Sequence, residues 1–212
     1  MQLERIHGCS RPLMSLVVAV FVFNLALSGE AFWKDADEWQ PASFGTHCLG
    51  KDCFESSSHI GEEEVPLRGL GSYEFLKVDL FTAAFYVPDR VIDVGELLGD
   101  SPKRLVICYQ RGFKKEEIVS AAENALKKNP ELNITALRPR LEQMYQFFQN
   151  VRKGDRYELV FEPRKGTALI LNGEYRGVVP GEDFARAFFG IWISNYPISY
   201  TLKRDLCSFS RK

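Results

Sequence analysis

The stretch YELVFEPRKGTALILNGEYRGVVPGEDFARAFFGIW, residues 157–192, decides the architecture. Three short runs, Tyr157 to Phe161, Thr167 to Leu171 and Glu174 to Val179, are rich in aromatic and aliphatic residues and are separated by turn formers, the pattern of strands. Pro163 to Gly166 supplies the first turn. Asn172-Gly173 supplies the second, because both residues tolerate the left-handed backbone that a two-residue hairpin requires. Pro180-Gly181 closes this antiparallel meander, and Glu182 and Asp183 open a helix whose first turn favours carboxylates through the helix dipole. Phe184, Ala185, Ala187, Phe188, Phe189, Ile191 and Trp192 make that helix apolar around most of its circumference, which predicts burial. Pro197 ends it, and Leu202 to Leu206 gives a last turn.

Upstream, Leu137 to Asn150 predicts a helix with Leu141, Met144, Tyr145 and Phe148 on one face, followed by a stop at Gly154-Asp155. Lys115 to Lys128 predicts another, with Ile118, Ala121, Ala122, Ala125 and Leu126 at helical spacing, Glu116 and Glu117 in its first turn and Asn129-Pro130 beyond it. Arg104 to Tyr109 is a nearly continuous apolar strand, and Glu74 to Val87 reads as one long strand stopped by Pro88-Asp89. The order strand, strand, helix, helix, three strands, helix does not alternate as a doubly wound parallel sheet would. It predicts an α+β fold, a largely antiparallel sheet with helices packed on one face.

The ends of the chain and its charge narrow the function. Arg5 and Arg11 precede the apolar run Leu13 to Leu27, and Ser28-Gly29-Glu30-Ala31 offers small residues for cleavage before Phe32, which predicts a signal peptide over 1–31. The run is shorter than the roughly 20 residues that span a bilayer, so no integral membrane segment is expected in the mature chain, and the expected location is periplasmic or secreted. Residues 32–64, with Ser56-Ser57-Ser58 and Glu62-Glu63-Glu64, read as an irregular leader to a domain over 65–212. A net charge of −1 gives no long-range field for nucleic acid.

Export makes disulfides available. Cys48 and Cys53 flank the turn-forming Leu49-Gly50-Lys51-Asp52, a reasonable loop for a local disulfide. A zinc site using His47 and His59 with these thiols lacks the usual paired spacing, so no metal is expected. Cys108, inside an apolar strand, reads as a buried free thiol.

The chemistry is defined as much by what is missing. No histidine follows His59, so the core lacks a Ser-His-Asp or Cys-His unit, and no G-x-S-x-G, Walker or H-E-x-x-H pattern occurs. Gly69-Leu70-Gly71 precedes a strand instead of following one and is no dinucleotide fingerprint. Asn133-Ile134-Thr135 is a glycosylation sequon, and Arg111, Lys114, Lys115, Lys127 and Lys128 read as a solvated face of the first helix.

One constellation remains. Lys153-Gly154-Asp155-Arg156-Tyr157, Gly166-Thr167, Leu171-Asn172-Gly173 and the run Asp183 to Trp192, with Lys77 to Pro88 and Leu105 to Tyr109 upstream, resemble the chalcone isomerase-like family, particularly its exported bacterial members. The resemblance covers roughly residues 65 to 207. It implies a curved antiparallel sheet, helices over one face, and a cleft between them that either cyclises a chalcone or holds a fatty acid. Cyclisation there needs no cofactor and no histidine, only a held conformer with an Arg and polar donors facing the developing negative charge.

Carried over residue by residue, the resemblance makes Arg68 the candidate anion-binding guanidinium. It places Phe81 where the enzymes carry a hydroxyl residue, with Thr82 on the opposite face of the strand, and sets Lys115 and Ala122 where they carry a Tyr and an Asn. The polar half of an isomerase site is thus missing. Arg68, Tyr73, Phe81, Thr82 and Tyr109 are the candidate ligand-binding residues, with no catalytic residue among them. The leading expectation is an exported, non-catalytic protein that binds a small hydrophobic carboxylate or acyl ligand without a cofactor. An intramolecular lyase of chalcone type, and a structural module with a filled cleft, are the alternatives.

Overall fold

The computed structural model describes residues 45–93 and 95–208. The expected signal peptide and the first part of the expected leader lie outside the described residues. Thirteen of the described elements are strands or α-helices: β1 (Thr46–Leu49), β2 (Asp52–Glu55), β3 (Ser57–Ile60), β4 (Glu63–Phe75), β5 (Val78–Tyr86), β6 (Lys103–Tyr109), α1 (Lys115–Lys127), α2 (Ile134–Phe147), β7 (Arg156–Glu162), β8 (Gly166–Leu171), β9 (Glu174–Val179), α3 (Glu182–Ile193) and α4 (Tyr200–Leu206).

Strands β3 to β9 form one curled sheet in sequence order, every neighbouring pair antiparallel, and β1 and β2 form a separate hairpin. This is the expected α+β layer. Alternation along each strand sends one set of side chains toward the helices, among them Phe81, Ala83 and Phe85 of β5, Leu105 and Ile107 of β6, and Tyr157, Leu159 and Phe161 of β7. Against them lie α1, α2 and α3. Phe184, Phe188 and Phe189 of α3 are at most 1% exposed, and each contributes on the order of 2–3 kcal/mol by leaving water.

The opposite face carries a smaller core, in which Ala84, Tyr86, Val106 and Cys108 of the sheet meet Ile60, Val65 and Phe54. This corrects the reading of residues 32–64 as irregular, because their described part forms β1, β2, β3 and the start of β4. The polar composition that suggested a leader has another cause. Ser57 and Ser58 are buried, and Ser58 accepts a hydrogen bond from the Arg104 guanidinium, which also pairs with Glu158 at 2.6 Å.

The strand expected over Glu74 to Val87 is also two strands. Glu74 and Phe75 end β4, and Leu76 and Lys77, with φ of 50° and 63°, make a tight turn into β5. Neither residue type announces a left-handed turn, so the turn is not legible from residue identity. By contrast, the Asn172-Gly173 turn has φ of 52° and 82°, as that pair predicts. Helix α2 starts three residues earlier than expected because the Asn133 side chain caps it, accepting a hydrogen bond from Ala136 N at 3.1 Å.

Gly69 and Gly71 serve packing. A Cβ at Gly69 would lie 2.3 Å from the Asp205 carbonyl oxygen, so the bare backbone of β4 is what lets α4 dock.

Candidate functional site

Between the helix-facing side of the sheet and helices α1 and α3 lies an apolar cavity of about 180 Å³, open to solvent at one rim. The sheet contributes Phe81, Ile107, Tyr109, Tyr157, Leu159 and Leu169; α1 contributes Ile118 and Ala122; α3 contributes Phe188, Ile191 and Trp192. Tyr73, Leu80, Phe113 and Ile198 are only partly buried, and with the exposed Glu117 and Ala121 they form the rim. The surface depression between α1 and α2, lined by Lys115, Glu116, Glu123 and Lys127, has a greater volume of about 360 Å³. It is a shallow depression, open to solvent and lined mainly by charged and polar residues, so a ligand there would stay largely in water.

An aromatic chain runs along the cavity wall. Tyr73 lies against Phe81 (5.2 Å between ring centroids), Phe81 against Tyr109 (6.3 Å), Tyr109 against Tyr157 (6.1 Å), Tyr157 against Phe148 (5.2 Å) and Phe148 against Phe188 (6.5 Å). These separations are those of favourable edge-to-face and tilted pairs, so the wall is preorganised rather than loosely filled.

The polar groups at the wall differ in how they are used. Tyr157 is occupied: its hydroxyl accepts from Gln149 N at 2.6 Å and donates to Gln149 O at 3.2 Å. The Tyr109 hydroxyl has no hydrogen-bond partner among the described residues, and burial, followed by its neighbour Tyr157, pushes its pKa well up, so it remains a neutral donor. The indole N–H of Trp192 is buried without a hydrogen-bond partner among the described residues. Glu117, at the rim, accepts from Lys114 N at 2.7 Å in the cap of α1. Among the described residues that line the cavity there is no Lys, Arg or His.

Of the candidates named from the sequence, the fold brings Tyr73, Phe81 and Tyr109 together on the cavity wall. Arg68 and Thr82 do not join them. Arg68 stands at a bulge in β4, between the pairs Leu67–Tyr86 and Gly69–Phe85, and its guanidinium donates to Pro88 O at 3.0 Å and approaches Asp89 at 3.8 Å. Thr82 faces the other side of the sheet and donates to Asp52 Oδ2 at 2.8 Å.

Tyr157, Trp192 and the rim residues Phe113 and Glu117 were missed. Alternation puts Tyr157 on the same face as Leu159 and Phe161, a signal present in the sequence; the rim depends on how α1 is placed, which no local pattern encodes. Arg111, read as part of a solvated face, lies with its guanidinium 5.0 Å from the centre of the Phe113 ring. Ala122 lines the cavity where the isomerases were expected to carry a polar residue, and Phe81 does the same on β5. Cys48 and Cys53 lie opposite each other in the β1–β2 hairpin and are joined by a disulfide, while Cys108 is buried and free. Among the described residues no helix is long and apolar enough to cross a membrane.

No curated protein matches the chain. Among solved structures, the crystal structure of a fatty-acid binding protein from Arabidopsis thaliana superposes with a TM-score of 0.58 at 15% identity, covering 77% of this chain and 96% of the plant protein. That likeness reports the fold: a curled antiparallel sheet with helices on one side. The sequence model of the chalcone isomerase-like family matches residues 51–207, beginning at Lys51 in the turn between β1 and β2 and so taking in most of the strands that the sequence had suggested were a leader. With the sheet order, the helix-covered cavity and this match in agreement, the chain belongs to the chalcone isomerase-like family.

Proposed function

We propose that this is an exported, non-catalytic protein that holds a small hydrophobic or acyl, fatty-acid-like ligand in the cavity between its sheet and helices. The observation that carries the reading is the cavity itself, whose wall is almost wholly apolar and aromatic. Each methylene moved into it from water gains about 0.8 kcal/mol, and nothing on the wall is arranged to drive a reaction. A chalcone-type cyclisation would need a cation and several donors facing one oxygen; the family resemblance sets Phe81 and Ala122 at two donor positions, both line the cavity, and Arg68 is engaged at Pro88 and Asp89. The fatty-acid binding function of the plant protein with this fold supports the same ligand class.

Size bounds the ligand. Drug-sized ligands occupy about 300–1,000 Å³, whereas an apolar cavity of about 150 Å³ takes a benzene ring. At about 180 Å³ this cavity suits a short or slender ligand, or one whose end projects past the rim. The exported location rests on the N-terminal apolar run and is supported by the Cys48–Cys53 disulfide, a bond typical of oxidising compartments.

The test is to purify the full-length chain from its expressing cells, denature it in organic solvent, and identify released small molecules by mass spectrometry. A stoichiometric apolar compound is expected. Protein that carries none, and that takes up none from a panel of short acyl and aromatic probes, would leave the cavity as an ordinary packing defect and the reading would fall.

A further inference from the structure

We propose that the ligand of this cavity is uncharged and carries a hydrogen-bond acceptor, a carbonyl, ester or hydroxyl oxygen, that is met by the Tyr109 hydroxyl. This inference rests on the ligand-binding reading and narrows it to the neutral acyl and aromatic compounds within that class, excluding a free fatty acid, which is a carboxylate at neutral pH. Three observations lead to it. The cavity wall holds no cation among the described residues, so an anionic head drawn inside would be desolvated without an opposite charge, which costs far more than burying a neutral oxygen. The guanidinium that the sequence offered for this task, Arg68, lies at the β4 bulge against Pro88 and Asp89 instead.

The second observation is at the entrance. Among the described residues, the one carboxylate lining the cavity is Glu117, exposed on the rim and fixed there by its hydrogen bond to Lys114 N at 2.7 Å. A carboxylate ligand passing this point meets like charge. Arg111 lies nearby over the Phe113 ring and offers an anion an alternative outside the cavity, which the test must separate.

The third is the donor. Tyr109 is 7% exposed, lines the cavity, and makes no hydrogen bond to any described residue. The hydroxyl oxygen keeps some accessible surface at the cavity, so it can be reached by a ligand oxygen, which would accept its hydrogen bond where an alkane could not. Burial keeps the phenol protonated, so it can donate.

The experiment measures binding of five probes to the full-length chain by calorimetry at neutral pH: octanol and octanoate, acetophenone and benzoate, and toluene, which has no acceptor. Octanol and acetophenone are expected to bind about tenfold or more tightly than their carboxylate counterparts. Tyr109→Phe should weaken octanol and acetophenone about three- to tenfold and leave toluene unchanged. Glu117→Gln keeps a capping side chain at the start of α1 and should raise octanoate affinity about twofold or more.

Carboxylates that bind as tightly as the neutral probes, or that lose affinity on Arg111→Ala, would overturn the proposal while leaving the ligand-binding reading intact. Equal weakening of toluene by Tyr109→Phe would overturn the assigned donor. No rise in octanoate affinity with Glu117→Gln would overturn the role given to the rim charge. If none of the five probes binds, the ligand-binding reading itself fails.

Discussion

The Thr82 hydroxyl donates a 2.8 Å hydrogen bond to Asp52 Oδ2 across the face of the sheet that points away from the helices. Asp52, on β2, is 9% exposed, and it also accepts from Gln110 Nε2 and, at 3.4 Å, from the Cys108 thiol. The pair therefore holds the N-terminal hairpin against the sheet. Arg156 adds to the clamp by donating to Cys53 O at 3.0 Å and lying 4.9 Å from the centre of the Phe54 ring.

Thr82→Val should consequently cost stability and not ligand. The substitution preserves shape, removes one of three donors to a buried carboxylate, and is expected to destabilise by about 1–2 kcal/mol, read as a lower midpoint in urea. Binding of apolar probes to the cavity should be unchanged, since Thr82 lies on the other face. Loss of probe affinity with no change in midpoint would contradict this placement.

That pair also shows where sequence reading runs out. Alternation alone places Thr82 opposite to Phe81, and the structure agrees. What covers that face was not legible, because the partner is 30 residues upstream in a segment whose Ser and Glu content suggested little order. The C-terminal half was legible for a physical reason: its strands alternate about turns of Gly and Asn, and α3 is too apolar to be anything but buried. The Leu76-Lys77 turn was hidden because its residues are not turn formers, even though both adopt positive φ. Tyr73, Phe81 and Tyr109, named as cleft positions through the family resemblance, line the cavity, whereas Glu117 and Trp192 reach it through helix packing that no local period specifies.

Gly69→Ala tests the contact between β4 and α4. The added methyl would lie 2.3 Å from Asp205 O and 2.4 Å from Leu206 O, both backbone atoms that cannot swing aside. Helix α4 must shift, and Leu202 and Leu206, both fully buried, lose packing with it. Overpacking of this kind costs about 1–3 kcal/mol or more. A melting temperature within one degree of the parent would show that α4 does not depend on the bare backbone at this point.

Ala122→Phe tests the cavity from its helical wall. Ala122 is 9% exposed on α1 and lines the hollow, so a phenyl ring projecting there would fill much of the roughly 180 Å³. Filling space lowers the cost of the cavity but risks overpacking, and the net change in stability is expected to stay within about 2 kcal/mol. Co-purified ligand should disappear from mass spectra, and probe affinity should fall by tenfold or more. Undiminished binding by a folded variant would place the ligand elsewhere.

Lys103 gives the fold a pH dependence of known sign. Its side chain is 1% exposed, donates to Gly99 O at 2.6 Å, and lies 4.5 Å from the centre of the Phe161 ring and 5.9 Å from that of Phe189. Burial, opposed by Asp100 and Glu182 and reinforced by Arg186, lowers its pKa from 10.5 to about 7. Between about pH 7 and 10.5 the unfolded chain binds the proton and the folded chain does not, so stability rises with pH across that window and is flat below it. Each unit of displacement is worth about 1.4 kcal/mol, which makes the rise a few kcal/mol. Lys103→Met abolishes the titration: its urea midpoint should vary little between pH 7 and 10 through this group. Below pH 7 it should exceed that of the parent, which must there bury a cation whose one hydrogen bond, two rings and the attraction of Asp100 and Glu182 do not offset its desolvation. A parent midpoint that falls steadily from pH 7 to 9, or a Met variant less stable than the parent at pH 6, would mean that the ammonium is well accommodated and that its burial is not the dominant influence.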